Sequence, residues 1–313
     1  MKKGFGFFDA SAYEPQPDNT AWIIKNLLPK GFGFVAGPPK GNSSPHGGKS
    51  VFERKLALSI ITGDPFLGFE VIERGRVMFM NLDEGPDKQV RLYWRMTKGK
   101  AVPGYLISQA VSCRLPEQIP MLENDVIEAR PLVLIIDPFL RTLGTKAVKN
   151  QEDVGPILNE LKRIGHTYDM TVIVNHHSNK SAEREKESTS SWLSGSVDLD
   201  SAWDFCLGIE WHKEWNVMHV RNFQKEKAKT DFYYEADVIN GDEIVDLIEV
   251  FDQMKESEQA RKLYKTIIKT GETRPQWLSK ILGIAESSIR YQIGKFAVLK
   301  AMTSVEPHHV ENK

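Results

Sequence analysis

Along this chain, uninterrupted apolar stretches alternate with stretches whose apolar positions recur every three or four residues, and each uninterrupted stretch ends in a polar or glycine-rich cluster. Phe32-Gly33-Phe34-Val35-Ala36 reads as a buried strand entering a loop rich in Gly, Pro and Ser, preceded by a short apolar segment from Trp22 to Leu28. Phe52 to Ile61 has helical spacing, and Gly63-Asp64-Pro65 stops it. Arg76 to Leu82 is strand-like and ends in Asp83-Glu84-Gly85-Pro86-Asp87, after which Gln89 to Met96 is helical. Leu132 to Ile136 runs into Asp137-Pro138, Thr171 to Asn175 runs into His176-His177, and Val154 to Ile164 between them is an amphipathic helix. This alternation predicts an α/β fold: a mainly parallel sheet flanked by helices, with a ligand site at the carboxyl edges of the strands.

After Glu210 the pattern shortens to Val217-Met218-His219-Val220 and Asp231 to Val238, suited to antiparallel strands at one sheet edge. Asp242 to Glu258 is acidic and is expected to be a helical connector. Lys262 to Lys269, Gln276 to Ile281 and Ser287 to Leu299 then read as three helices of a small all-α or winged-helix unit, with Gly283 in the second turn. The expected division is an N-terminal segment 1–21, an α/β domain 22–240, a linker 241–260, a helix-turn-helix domain 261–302 and a polar tail 303–313.

Composition narrows this picture little. The 313 residues carry 41 Lys+Arg against 42 Asp+Glu, so any basic surface is local. Two cysteines, Cys113 and Cys206, without metal-ligand spacing fit buried thiols in a reducing compartment. No segment has the roughly 18 consecutive apolar residues of a membrane helix, so a cytoplasmic protein without membrane association is expected.

The chemistry concentrates in Gly37-Pro38-Pro39-Lys40-Gly41-Asn42-Ser43-Ser44-Pro45-His46-Gly47-Gly48-Lys49-Ser50. A phosphate-binding P-loop, G-x-x-x-x-G-K-[ST], needs glycine where Ser43 stands. With Gly41 to His46 looped out, the remaining Gly37-Pro38-Pro39-Lys40-Gly47-Gly48-Lys49-Ser50 satisfies the pattern at every position. In that reading the amides at Gly47 and Gly48 approach ATP phosphates at a helix N-terminus, Lys49 contacts the terminal phosphates, and the Ser50 hydroxyl completes a Mg2+ shell beside a carboxylate. Read blandly, the same stretch is a flexible surface loop. Asp137, at the tip of an apolar strand, is placed as the magnesium-positioning acid of such a site, or merely caps its strand. Glu84, at the tip of a strand expected to neighbour the P-loop strand, is placed to activate a water, with Asp83 and Asp87 as competitors; alternatively these acids simply begin the next helix.

Taken in order, Gly37-Pro38-Pro39-Lys40 with Gly47-Gly48-Lys49-Ser50, Thr62-Gly63-Asp64-Pro65-Phe66-Leu67-Gly68, Leu82-Asp83-Glu84, Ile136-Asp137-Pro138 and His176-His177-Ser178-Asn179-Lys180 resemble the RecA-fold AAA family ATPases of the RepA-type hexameric replicative helicase group. The resemblance spans Trp22 to Tyr234. It implies ATP hydrolysis with Mg2+ between neighbouring subunits of a homo-oligomeric ring or filament, a hexamer in the replicative helicases of this group. By it Glu84 is the catalytic carboxylate, Asp137 the magnesium acid, His177 the γ-phosphate sensor, and Arg221 the cationic finger offered to the adjacent subunit, ahead of Lys225 and Lys227. It also puts the loops after Asp137 and His177 in the ring channel, with Lys146, Lys149, Lys180, Arg184 and Lys186 beside single-stranded DNA.

Arg274 to Tyr291 has helix-turn-helix spacing and resembles the winged-helix group. Leu278, Ile281, Ile284, Ile289 and Ile293 would pack, leaving Ser287, Ser288, Arg290, Tyr291 and Gln292 at the start of a recognition helix and Arg274 among several basic residues facing duplex phosphates. The plainer alternative is a small helical bundle for oligomerisation or docking. Together these features point to a Mg2+-dependent ATPase coupled to DNA, a helicase or related replication ATPase of a mobile element. A nucleotide-gated DNA-binding regulator, and a scaffold whose P-loop the 41–46 insertion disables, are the alternatives.

Overall fold

The apolar runs fold into strands buried on both faces, as strands covered by helices on each side must be. The computed structural model describes residues 20–38, 48–110, 113–143, 151–178, 192–193, 199, 201–212, 217–224, 227–239, 243–249, 257–270, 272–295, 299 and 303. The chain opens with a small hairpin, β1 (Trp22–Ile24) and β2 (Leu28–Pro29). There follow β3 (Phe32–Gly37), α1 (Lys49–Thr62), β4 (Val77–Asn81), α2 (Pro86–Met96), β5 (Tyr105–Ile107), α3 (Leu115–Ala129), β6 (Val133–Asp137), a short α4 (Phe139–Thr142), α5 (Gln151–Thr167) and β7 (Thr171–His177). Next come β8 (Phe205–His212), β9 (Val217–Gln224), β10 (Lys227–Ile239) and β11 (Glu243–Glu249). Three further helices follow among the described residues: α6 (Glu258–Thr270), α7 (Pro275–Leu282) and α8 (Glu286–Lys295).

Apart from the hairpin, the strands form one sheet of nine in the order β11-β10-β9-β8-β3-β7-β6-β4-β5. From β8 to β5 all neighbours are parallel, whereas β9, β10 and β11 extend the sheet antiparallel. One face packs against α3 and α5 through residues such as Leu122, Val126, Leu158 and Leu161; the other packs against α1 and the β1–β2 hairpin. β11 also packs on α1. Helix α1 is therefore enclosed nearly all round, and polar as well as apolar positions on it are buried, including Glu53 and Arg54. Phe52 in its middle meets Phe66 edge-on at 5.0 Å between ring centroids. Burying such a ring contributes about 2–3 kcal/mol. Gly63 ends the helix in a left-handed cap whose N–H reaches Ser59 O.

Three expectations from the pattern are corrected. The segment expected to be a helical connector after Asp242 forms β11, so the sheet continues to Glu249. β4, expected beside the P-loop strand, is separated from β3 by β7 and β6, because parallel strands joined by crossover helices need not be spatial neighbours. Ile281 is 52% exposed; α7 turns Leu278 and Leu282 inward instead, one turn apart, against Leu263, Ile267 and Ile289. Elements without a counterpart in the pattern are α3, whose periodicity Pro116 and Pro120 interrupt, the three-residue β5, and β8, which continues past Glu210 to His212. Cys113 and Cys206 are buried thiols, as expected. Among the described residues no helix is long and apolar enough to cross a membrane.

Candidate functional site

Register brings the chemistry together. Gly37, the last residue of β3, pairs with His177 at the end of β7, and Asn81, the last residue of β4, pairs with Asp137 at the end of β6. All four lie on the carboxyl edge of the sheet, into which α1 presents its N-terminus. Gly37 must be glycine because a Cβ there would lie 2.3 Å from Ile209 O on β8. Gly48 has φ 104°, a conformation that favours glycine, and no side chain caps the helix it starts. An uncapped helix N-terminus opening from a glycine turn presents backbone N–H groups and the positive end of a dipole to a phosphate.

Lys49 is only 7% exposed. Its Nζ donates to Gly37 O and to Pro38 O, both at 2.9 Å, and lies 3.4 Å from His177 Nδ1. Burial pushes its pKa down to about 8, against the opposing pull of Asp137 and Glu53. Ser50 Oγ donates to Asp137 Oδ2 at 2.6 Å, and Asn81 Nδ2 donates to the same oxygen at 2.9 Å. Burial raises Asp137 to about 6, even though the Ser50 hydrogen bond and the Arg54 and Lys49 charges favour its carboxylate. His177 is held below its ordinary value, first by burial and then by the Lys49 charge.

The donor set fits a magnesium nucleotide. Mg2+ is usually held by one or two carboxylate or hydroxyl oxygens together with phosphate oxygens and water, and the Ser50–Asp137 pair supplies one of each. Among the described residues no group of three or more His, Cys, Asp or Glu is arranged to hold a metal by itself. Pro39, Lys40, Gly47 and the Gly41 to His46 insertion lie outside the described residues, as do Lys146, Lys149, Lys180, Arg184, Lys186 and Lys225.

Glu84 stands three residues beyond β4 in a turn built by Asn81, whose Oδ1 accepts the N–H groups of Asp83 at 3.1 Å and Glu84 at 2.8 Å. Gln89 Nε2 closes the turn on Asn81 O at 3.2 Å and Glu84 O at 2.9 Å. The Glu84 carboxylate pairs with Arg54 of α1 and with Lys88. Asp83 instead pairs with Arg141 in solvent, 2.8 Å away. Arg221, expected to reach the neighbouring subunit, has its Nε 3.3 Å from Glu210 Oε1 of its own chain, and His219 Nδ1 lies 3.4 Å from the same oxygen.

Sequence reasoning missed Asn81, Gln89, Glu53, Arg54 and Asn175. Glu53 is fully buried and accepts Asn175 Nδ2 at 3.1 Å. Burial, then the Asp137 charge, holds its carboxyl well above the usual range. Glu53 and Arg54 stand in the polar run Glu53-Arg54-Lys55 of α1, which by itself reads as a solvated helix face.

In the C-terminal helices the two arginines expected at DNA pair with nearby glutamates of their own segment. Arg274 makes a two-point pair with Glu272, Nε to Oε1 at 2.9 Å and Nη2 to Oε2 at 2.7 Å. Arg290 pairs with Glu286, one turn away, at 2.6 Å. Ser287 and Tyr291 are exposed on α8 and Ser288 is half-buried.

Comparison with known proteins bears on the fold and the family. The structure is similar to that of a DnaB-like replicative helicase, solved in a study of its interactions with primase, with 15% sequence identity and a TM-score of 0.53. The match covers 70% of this chain but 57% of that one, so the chain spans little more than half the helicase's length. At that identity the likeness establishes the fold, which is RecA-like with helices on both faces of the sheet. Comparison with curated proteins found no match. The family described as AAA domain matches residues 4–183, more than half of the chain, and the protein belongs to it.

Proposed function

We propose that this protein is a magnesium-dependent ATPase of the RepA-type replicative helicase group, acting on DNA as a homo-oligomeric ring. The observation that carries the reading is the convergence of Lys49, Ser50, Asp137, Glu84 and His177 from three strand ends and one helix N-terminus onto a single edge of the sheet. Gly37, Pro38 and Gly48, with Pro39, Lys40 and Gly47, form the phosphate cradle. Lys49 would exchange the two carbonyls it now holds for phosphate oxygens, while Ser50 and Asp137 would hold Mg2+, which when bound would spread the charge of the phosphates. Glu84 accepts a proton from the attacking water. Neutral His177, beside Lys49, is placed to report whether the terminal phosphate is present. Lys146, Lys149, Lys180, Arg184 and Lys186 would line the strand-binding channel, and Ser287, Ser288, Arg290 and Tyr291 with Arg274 would meet duplex DNA.

Titration with Mg-ATP followed by steady-state hydrolysis tests the core of this reading. Glu84→Gln should bind Mg-ATP as the wild type does and lose turnover; wild-type turnover in that variant would remove Glu84 from the role. Mass measurement with and without nucleotide tests the ring, and a monomer in both conditions argues against a helicase.

A second reading, a nucleotide-gated DNA-binding regulator that does not translocate, is favoured by Arg221, which is engaged by Glu210 of its own chain. Strand-displacement assays separate the two. Unwinding with hydrolysis stimulated by single-stranded DNA supports the motor, whereas nucleotide-dependent binding to one duplex sequence supports the regulator.

A further inference from the structure

The Glu84 carboxylate is held by both of its oxygens. Oε2 accepts Nη2 of Arg54, and Oε1 lies 2.9 Å from Nζ of Lys88. Arg54 sits on α1 one turn beyond Ser50 and is only 3% exposed, enclosed with the rest of that helix. A guanidinium that cannot turn to water needs an anion. Its Nε has no hydrogen-bond partner among the described residues, which leaves the Glu84 pair as a principal anchor of the group. The backbone beneath Glu84 is fixed separately by Asn81 and Gln89. The carboxylate can therefore leave Arg54 by side-chain rotation, without unfolding the turn.

We propose that Arg54 is a positioning residue that clamps Glu84 onto α1 and thereby sets the rate of hydrolysis. This rests on the reading of Glu84 as the base. A carboxylate accepts a proton through the lone pairs that Arg54 and Lys88 engage, and a cation on each oxygen makes it a weaker base. Water is activated in the fraction of molecules whose Arg54 pair is open. The clamp acts on turnover: Lys49, Ser50 and Asp137 keep their own hydrogen bonds without it, and the help that the Arg54 charge gives the Asp137 carboxylate is separated from it by comparing turnover at saturating Mg-ATP. Lys88, half in solvent, is the weaker of the two clamps.

The test is steady-state ATP hydrolysis and Mg-ATP affinity of the full chain carrying Arg54→Met, Arg54→Lys, Arg54→Gln, Glu84→Gln and the double variant Arg54→Met/Glu84→Gln. Arg54→Met keeps the volume and removes the charge, and at saturating Mg-ATP should raise turnover at least about five-fold, the population factor that about 1 kcal/mol controls; its Mg-ATP affinity should fall only as far as Asp137 loses the Arg54 charge. Arg54→Lys keeps a cation and should stay near wild-type turnover. The double variant should be as inactive as Glu84→Gln alone. Unchanged or lower turnover in Arg54→Met at saturating Mg-ATP overturns the clamp, as does a double variant faster than Glu84→Gln. If Arg54→Met does not fold, Arg54→Gln is the deciding variant, with the same expected rise and the same overturning result. Wild-type turnover in Glu84→Gln would show that the base assignment itself is wrong; an inactive Glu84→Gln beside an unaccelerated Arg54→Met would show that the clamp alone is wrong.

Discussion

At the carboxyl edge of the sheet, polar partners are buried and come from far apart in the chain: Lys49 meets His177 across 128 positions, Ser50 meets Asp137 across 87, and Arg54 meets Glu84 across 30. In the C-terminal helices, Arg274 meets Glu272 two positions away and Arg290 meets Glu286 four away, all within reach of solvent. The first arrangement exists only when the sheet is assembled, and each partner lost leaves a buried group unsatisfied. The second forms on any helix or turn and opens at little cost, so an arginine paired in this way stays available to a phosphate. Substitutions at the two places should therefore differ in size and in kind.

The largest effect is expected at Lys49. Lys49→Ala removes the one cation that α1 presents at the sheet edge beside His177, and turnover should fall by roughly a thousand-fold or more, as when a group stabilising transition-state charge is lost. Steady-state hydrolysis measures it, and a loss under ten-fold would place phosphate recognition elsewhere.

Next comes the response to pH. Asp137 must be ionised to hold Mg2+ and Lys49 must be charged to hold phosphate, and burial has moved their values to about 6 and about 8. Mg-ATP affinity is expected to be greatest between those values and to fall about ten-fold per unit outside them. Lys49→Arg, which stays charged, should abolish the alkaline limb and leave the acid one. An affinity flat from pH 5 to pH 9 would contradict both assignments.

How far the sequence carried this picture depends on the region. Asp137 and His177 were legible because strands buried on both faces read as unbroken apolar runs, and a polar residue closing such a run can only stand at the sheet edge. Asn81 and Gln89 were not, since nothing in β4 or α2 announces that one side chain will tie Asp137 to the Glu84 turn and the other will lock it. Arg54 and Glu53 look like the solvent face of a helix until Glu53 is seen to meet Asn175 of β7 and Arg54 to meet Glu84, and β11, which also packs on α1, itself read as an acidic helix. In the C-terminal helices the turn at Gly283 was legible from glycine, where φ is 64°. The choice between Ile281 and Leu282 for the core depends on helix rotation, which one apolar residue does not specify.

Glu53 sharpens the comparison at intermediate size. Glu53→Leu strands the Asn175 amide in the interior and should cost about 1–3 kcal/mol, or a few degrees in Tm. Glu53→Gln keeps the hydrogen bond and should be close to neutral at low pH. Because the folded-state value of Glu53 is raised, its favourable contribution is complete below the unfolded carboxylate range and is lost as pH rises through the folded value. The Tm advantage of Glu53→Gln over wild type should accordingly widen from pH 5 to pH 8. A constant difference would mean that Glu53 is ionised in the native protein.

The smallest effects belong to the C-terminal arginines, and there stability and binding should separate. Arg290→Gln removes one exposed pair within a helix and Arg274→Gln one on a turn, so neither should shift stability by more than about 0.5 kcal/mol. If these arginines leave their glutamates for phosphates, each substitution should lower the dependence of DNA affinity on salt by about one counterion and weaken binding to all sequences alike. Glu286→Gln and Glu272→Gln supply the opposite sign, freeing the arginines and strengthening DNA binding modestly without touching them. Identical salt slopes in all four variants would assign these helices to protein docking, through the exposed Trp277, Ile281 and Tyr291, and leave the channel lysines as the DNA contact.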